Sequence, residues 1–253
     1  LDVVTGALRR GAHVLCEKPL GRSLAEVDTM VGVSAECARG LFAAMVCRRY
    51  PAVREAVKYR LSDMVGDLQE IDAAYGFPLD WPVQSLAYYD RTQSGGGALL
   101  DFGAHLIDAL FYVVGDPPFE VVSYADDAEA GVDAEAEGHV TLLLAHGRAE
   151  CTIRASRLRR LSNALILRGA NGTLEIPLSP AHSATFHAGN GIWPVSGHVG
   201  GPRQCFSDQL EDFGRAIREE PHELPAAASQ RASIGLIEEL YALRQPLTFP
   251  WDA

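Results

Sequence analysis

Residues 95–115 read G-G-G-A-L-L-D-F-G-A-H-L-I-D-A-L-F-Y-V-V-G, and the spacing of apolar positions predicts a helix. Leu99, Leu100, Phe102, Leu106, Ile107, Leu110, Phe111, Val113 and Val114 supply its bulk, and Gly115 follows as a C-cap. A helix apolar on so many faces belongs mostly in the interior. Asp101, His105 and Asp108 interrupt it, and their i, i+4, i+7 spacing puts them on one stripe. Burying a carboxylate or an imidazole is costly without a partner. A structural network explains the stripe if Asp101 bonds the glycine-rich loop and His105 is a satisfied core histidine. A catalytic pair explains it equally well. The glycines then let backbone approach a ligand closely, Asp101 orients His105 as general base, and the deeper Asp108 is structural.

Before this stretch, residues 2–10 read as the end of a helix closed by Gly11, and 13–16 as a short strand. Ser23-Leu-Ala-Glu26 is a capping box opening a second helix, which Gly40 ends, and 41–47 is a second strand. Helix, strand, helix, strand at these lengths is a parallel α/β pattern. Two strands are too few for a doubly wound domain. After Arg48-Arg49-Tyr50-Pro51 a helix runs to about Leu61, then a strand spans 68–76. Residues 77–94, with Pro78, Trp81, Pro82, Tyr88 and Tyr89, form an aromatic loop long enough to point to function. Strands follow at 121–124, 139–145, 149–156, 164–168, 173–176 and 185–187, with Asn171-Gly172 as a hairpin turn. No helix separates them, which predicts an antiparallel sheet packing one face on helices. Phe206, Leu210, Phe213 and Ile217 mark one closing helix, and Ile234, Ile237 and Tyr241 another.

Composition changes this picture little: 253 residues, 47% hydrophobic and 22% charged, are ordinary for a globular protein. A net charge of −11 argues against nucleic acid or an anionic membrane as a partner. No apolar run approaches bilayer length and no signal segment opens the chain. Five scattered cysteines (Cys16, Cys37, Cys47, Cys151, Cys205) make neither a metal motif nor a disulfide framework, which implies a reducing cytoplasm. Leu1 stands first, in mid-pattern, so the N-terminal part of a longer protein is expected to be missing. Asp126, Asp127, Glu129, Asp133, Glu135 and Glu137 read as a solvated loop and strand end. Arg154, Arg157, Arg159 and Arg160 read as an exposed sheet face rather than a phosphate site.

Glu17-Lys18-Pro19 directly follows a strand and so lies at the carboxyl edge of a parallel sheet, where open α/β folds bind ligands. With G-A-H-V-L-C-E-K-P-L at 11–20 stand C-R-R-Y-P-A at 47–52 and G-G-G-A-L-L-D-F-G-A-H-L-I-D at 95–108. R-G-A-N-G-T-L-E at 168–175, F-S-D-Q-L-E-D-F at 206–213 and G-L-I-E-E-L-Y at 235–241 complete the set. In this order they resemble the Gfo/Idh/MocA family of NAD(P)-dependent oxidoreductases over essentially the whole chain. The resemblance implies an α/β plus α+β fold. Residues 1–47 would be the C-terminal part of a dinucleotide-binding Rossmann domain, and 48–253 an α+β substrate-binding and oligomerisation domain with a large, mainly antiparallel open sheet. It implies Lys18 as the catalytic lysine, His105 as proton acceptor from a substrate hydroxyl, and Asp101 as positioning substrate and His105. Glu17, Lys18 and Pro19 would border an NAD or NADP cofactor. Arg48, Arg49, Tyr88 and Tyr89 become candidate contacts to a sugar, inositol or related polyol. A homo-dimer or homo-tetramer through the open sheet is also implied.

The departures are specific. No G-x-G-x-x-G opens a helix; Gly189-Asn-Gly191-Ile-Trp-Pro194 has proline in the third position and no strand–helix context. A chain without that phosphate cradle is expected to bind dinucleotide poorly. The acidic residue that would bind the adenosine ribose is also out of view, so the sequence does not choose between NAD and NADP. NAD-dependent glycoside hydrolysis and a non-catalytic sugar-sensing or scaffold role are the competing readings. The joint presence of Lys18, Asp101 and His105 counts against the last.

Overall fold

Parallel pairing begins where the helix–strand alternation places it. Helix α1 (Asp2–Arg9) leads through Gly11 to β1 (Val14–Glu17), and α2 (Leu24–Glu36) crosses over to β2 (Leu41–Ala44). The two strands pair in parallel, Val14 opposite Leu41 and Glu17 opposite Ala44. Ser23 Oγ accepts the Glu26 N–H at 3.3 Å, half of the expected capping box. The other half is replaced, because Glu26 accepts the Arg22 N–H at 2.9 Å. The computed structural model describes residues 1–61, 64–80, 82, 85–115, 119–128, 134–144, 149–195 and 201–248. Trp81, Glu129 and Asp133 lie outside them.

A short 3-10 turn (Val46–Arg49) enters α3 (Pro51–Leu61), with proline at the first helical position. The nine-stranded sheet comprises β3 (Leu68–Gly76), β4 (Phe119–Asp126), β5 (Glu137–Leu144), β6 (Glu150–Ser156), β7 (Ala164–Gly169), β8 (Gly172–Pro177), β9 (Ala184–Ala188), β10 (Gly191–Val195) and β11 (Gln245–Pro246). Its order is β10-β9-β8-β7-β3-β6-β5-β4-β11. The sheet is mainly antiparallel, but β3 pairs with β6, and β4 with β11, in parallel. The helical passage between β3 and β4 supplies the long crossover that a parallel partner for β3 needs. Strand β10 was not foreseen; the glycine pair at 189 and 191 flanks a hairpin to β9, not a phosphate loop.

Along β6 alternate residues Cys151, Ile153 and Ala155 point inward; Cys151 and Ile153 meet Leu106, Ile107 and Leu110 of α5 (Ala104–Val114) in one buried cluster, and Ala155 packs in a smaller one with Ala98 and Phe102. Ile234, Ile237 and Leu240 of α7 (Gln230–Ala242; α4 is Arg91–Ser94 and α6 Pro202–Ile217) join it, as do Val27 and Met30 of α2. Within the helical stretch Arg91–Val114, whose 24 residues do reach membrane-spanning length, contrary to the sequence reading, one 18-residue window has a mean hydropathy of 1.5. It is 72% buried within this fold, as a core helix.

Candidate active site

Three side chains from three segments meet at one carboxylate, that of Asp101. Lys18, just past the end of β1, donates its Nζ to Asp101 Oδ1 at 2.5 Å and to the Asp101 carbonyl oxygen at 3.0 Å. Tyr88, in the turn Leu86–Tyr89, donates its hydroxyl to Asp101 Oδ2 at 2.5 Å. Arg157, in the turn after β6, donates Nη2 to the same oxygen at 3.2 Å and lies over the Tyr88 ring, 4.1 Å from its centre. Asp101 itself sits in a π-helical turn, Leu99–Gly103, that precedes α5. Such a turn adds a residue to the helical repeat and recurs at functional sites. It also breaks the predicted stripe: Asp101 turns to Lys18 while Asp108, seven residues on, turns elsewhere.

Burial alone would raise the Asp101 pKa. The Lys18 ammonium and the hydrogen bonds from Lys18 and Tyr88 outweigh it, holding the carboxyl below its ordinary value. His105 is pushed down as well, to about 3, first by desolvation and then by the Lys18 charge, with Asp101 opposing. Its ring is therefore neutral at physiological pH, and Nδ1 is buried without a hydrogen-bond partner. The expected Asp101–His105 orienting bond is replaced by an electrostatic link, because both Asp101 oxygens are taken by Lys18, Tyr88 and Arg157. Charge on Lys18 and on Asp101 nevertheless reaches the ring. Glu17 ends β1 exposed, and Pro19 follows Lys18 through a cis bond.

Glu135 clamps the start of this helix. Its carboxylate accepts the N–H groups of Gly97 and Leu99, each at 2.9 Å, and its carbonyl accepts Ala98 N–H at 2.8 Å. Tyr241 adds a hydroxyl donor at 2.7 Å. A Cβ on Gly97 would stand 1.9 Å from the Glu135 carbonyl oxygen, and one on Gly96 2.1 Å from the Tyr241 hydroxyl. The glycines admit protein, not ligand, which corrects the sequence reading. Burial raises the Glu135 carboxyl, with the Tyr241 and Leu99 hydrogen bonds working against it.

The two arginines of C-R-R-Y-P are held elsewhere. Arg48 grips Asp108 through Nε and Nη2 at 2.8 and 2.7 Å, and Gln230 completes that carboxylate at 2.8 Å. Arg49 is buried against Asp212 at 2.5 Å, with Glu223 at 3.2 Å. Both therefore hold ion pairs within the fold, away from the Asp101 cluster. Tyr88 joins the cluster, and Tyr89 packs edge-on against it at 5.6 Å.

Two charged readings are corrected as well. Asp126, Glu135 and Glu137 are buried, not solvated, and Arg244 and Arg159 pair with Asp126 and Glu137. Arg157 is buried at the cluster, not on an exposed face. The strand alternation carried its signal: continuing the inward set 151, 153, 155 by two reaches 157. Glu135 had no such signal, since its partners lie 36 and 38 residues away.

Comparison with known proteins bears on the family and the fold. A family model described as GFO/IDH/MocA C-terminal domain matches residues 50–175. The trans-1,2-dihydrobenzene-1,2-diol dehydrogenase of Oryctolagus cuniculus is 32% identical over 273 residues, covering 97% of this chain and 75% of that protein. The Xenopus laevis protein of the same name is 28% identical over 70% of this chain, and the match spans about half its own length, 52%. Among solved structures, an aldose-aldose oxidoreductase from Caulobacter crescentus complexed with glycerol superposes with a TM-score of 0.82 at 22% identity, covering 96% of this chain and 72% of that one. A 3-ketoreductase from Actinomadura kijaniata in complex with NADP and TDP-benzene gives 0.81 at 21% identity, covering 98% and 76%.

Proposed function

The chain belongs to the GFO/IDH/MocA family, and from that premise we propose that its site serves NAD(P)-dependent hydride transfer at a secondary alcohol of a sugar, polyol or related diol. The observation that carries the reading is Lys18 paired to Asp101 beside a neutral, half-buried His105 whose buried Nδ1 has no partner. The names of the similar proteins, a dihydrodiol dehydrogenase and an aldose oxidoreductase, support the substrate class.

The residues fit the nicotinamide and ribose end of such a cofactor. Lys18 offers an ammonium at the carboxyl edge of β1, and the orphaned His105 nitrogen lies in reach of its charge. Glu17, Lys18 and Pro19 would border that end; the sequence holds no glycine fingerprint for the pyrophosphate. When bound, the cofactor supplies the hydride acceptor. Lys18 holds the reacting oxygen and stabilises negative charge as it develops there. His105 takes the hydroxyl proton at Nδ1. The oxygen's growing charge offsets the Lys18 field on the ring, so the imidazole becomes more basic as the proton arrives. Asp101, clasped by Tyr88 and Arg157, keeps Lys18 in place. The five free cysteines support a reducing compartment, and the open sheet supports self-association.

The test is reduction of NAD or NADP by ring diols and aldoses, followed by nicotinamide absorbance. His105→Asn is expected to lower turnover about 10²–10⁴-fold while leaving cofactor binding within twofold or so. Unchanged turnover would remove His105 from the chemistry.

A further inference from the structure

Between the start of α2, α4 and α7 lies a cavity of about 310 Å³ that none of the steps above uses. Leu100, Ile234 and Ile237 form its apolar floor, and Arg22, Arg91 and Glu238 stand at its rim. The two guanidiniums differ in what they already hold. Arg22 is occupied: Nε and Nη2 bond Glu26 at 3.0 and 2.5 Å, and Nη1 donates to the Gln93 carbonyl oxygen at 3.2 Å. Arg91 is half-buried, and its guanidinium lies over the Tyr241 ring, 4.2 Å from the centre. It makes no hydrogen bond or ion pair among the described residues. Tyr241 is itself fixed, because its hydroxyl donates to Glu135 at 2.7 Å and accepts the Gly97 N–H at 3.3 Å. A guanidinium held flat on a fixed ring keeps its N–H edge free, and it loses little further freedom when an anion arrives.

The charge of that anion follows from the neighbours. Glu26 neutralises Arg22, and Glu238 keeps a second carboxylate at the rim, where it accepts the Leu24 N–H at 3.1 Å. A carboxylate matches the two-donor edge of Arg91 with a single charge, whereas a phosphate dianion would be repelled by Glu238 and Glu26. The buried leucine and isoleucines suit an apolar body behind that charge. A cavity near 310 Å³ is at the small end for ligands and takes a body of about six carbons. We propose that this cavity binds a small organic monocarboxylate, with its two oxygens on Arg91 and its apolar body over Leu100, Ile234 and Ile237. The site shares no residue with the Asp101 cluster, so it stands independently of the hydride-transfer reading.

Ligand-observed NMR on the 253-residue chain tests it, with hexanoate and benzoate as probes, 1-hexanol as the uncharged match and inorganic phosphate as competitor. Both carboxylates are expected to bind, hexanol about tenfold or more weakly, and phosphate at equal concentration should not displace hexanoate. Arg91→Ala, at a half-exposed position, should weaken hexanoate binding about tenfold or more. Ala242→Trp, which puts an indole into the cavity from the exposed last residue of α7, should weaken it to a similar extent. Lys18→Met should leave it within twofold or so, which separates this cavity from the positive charge at the Asp101 cluster. Failure of both carboxylates to bind, equal binding of hexanol, or displacement by phosphate would overturn the proposal. So would loss of hexanoate binding in Lys18→Met, or undiminished binding in either Arg91→Ala or Ala242→Trp.

Discussion

One helical passage carries two acids seven residues apart, and their surroundings are opposite in kind. Asp108 is 2% exposed and closed on itself: Arg48 takes both oxygens, Gln230 takes one again, and Arg48 also lies 4.7 Å over the Tyr112 ring. One cation meets one anion, and the charges balance. At Asp101 two cations, Lys18 and Arg157, converge on one carboxylate, while the adjacent imidazole is neutral. That group is one positive charge in excess, the balance a developing oxyanion would restore. The comparison separates two uses of the same residue type. Ion pairing alone marks a fold; an unbalanced pair beside an unpartnered nitrogen marks a site.

Removing the cation from each acid sharpens the contrast most. Lys18→Met is expected to lower kcat/KM about 10³-fold, because the charge that meets the reacting oxygen is gone. Its melting temperature should move little, since Arg157 and Tyr88 still hold Asp101. Arg48→Met should do the reverse. Orphaning a buried carboxylate costs about 3–5 kcal/mol, roughly a 10 °C fall in melting temperature for a chain of this size. The fraction that stays folded should retain activity within a few-fold. If Arg48→Met abolished turnover without lowering stability, the division between the two stations would be wrong.

Glu135→Gln probes the clamp that fixes where Asp101 points. The amide can satisfy only one of the two N–H groups that the carboxylate accepts from Gly97 and Leu99, and its own N–H₂ meets the other donor. The expected cost is about 1–3 kcal/mol of stability by urea unfolding, with a fall of about tenfold in kcat and little change in KM. A change confined to stability would make Glu135 a purely structural cap.

How much of this was legible in the sequence follows from where each signal lives. Most strands of the sheet, though not β10 or β11, were visible because alternation is local, and the core helix because its apolar positions repeat at short range. Lys18 and His105 were placed by motif and by position at a strand end or helix face. The π turn was not visible, since nothing in L-L-D-F-G departs from helical spacing, yet it decides which way Asp101 faces. Arg48 and Arg49 looked like ligand residues because their partners, Asp108, Asp212 and Glu223, lie 60 to 174 residues away. Glu135 was hidden for the same reason. A charge reads as solvated until the chain that buries it is in place.

The smallest expected effect is on pH dependence, and it tests the neutral imidazole directly. Folding holds the His105 pKa near 3 against an ordinary 6.5. Below the ordinary value the unfolded chain takes up a proton there that the folded chain refuses, so stability falls as pH drops from 6.5 towards about 3 and is unaffected by this group above that window. The Asp101 carboxyl, held below its ordinary 3.8, adds its own loss only at lower pH. Between about pH 6.5 and 5 the difference between wild type and His105→Asn therefore isolates the imidazole. Urea midpoints for the wild type should decline over that interval, and those for His105→Asn should decline less. Lys18→Met, lacking the second cause of the depression, should fall between them. Parallel curves for all three would mean that the ring is solvated in the folded chain, and the site would lose the dry, neutral base that sets Asp101 apart from Asp108.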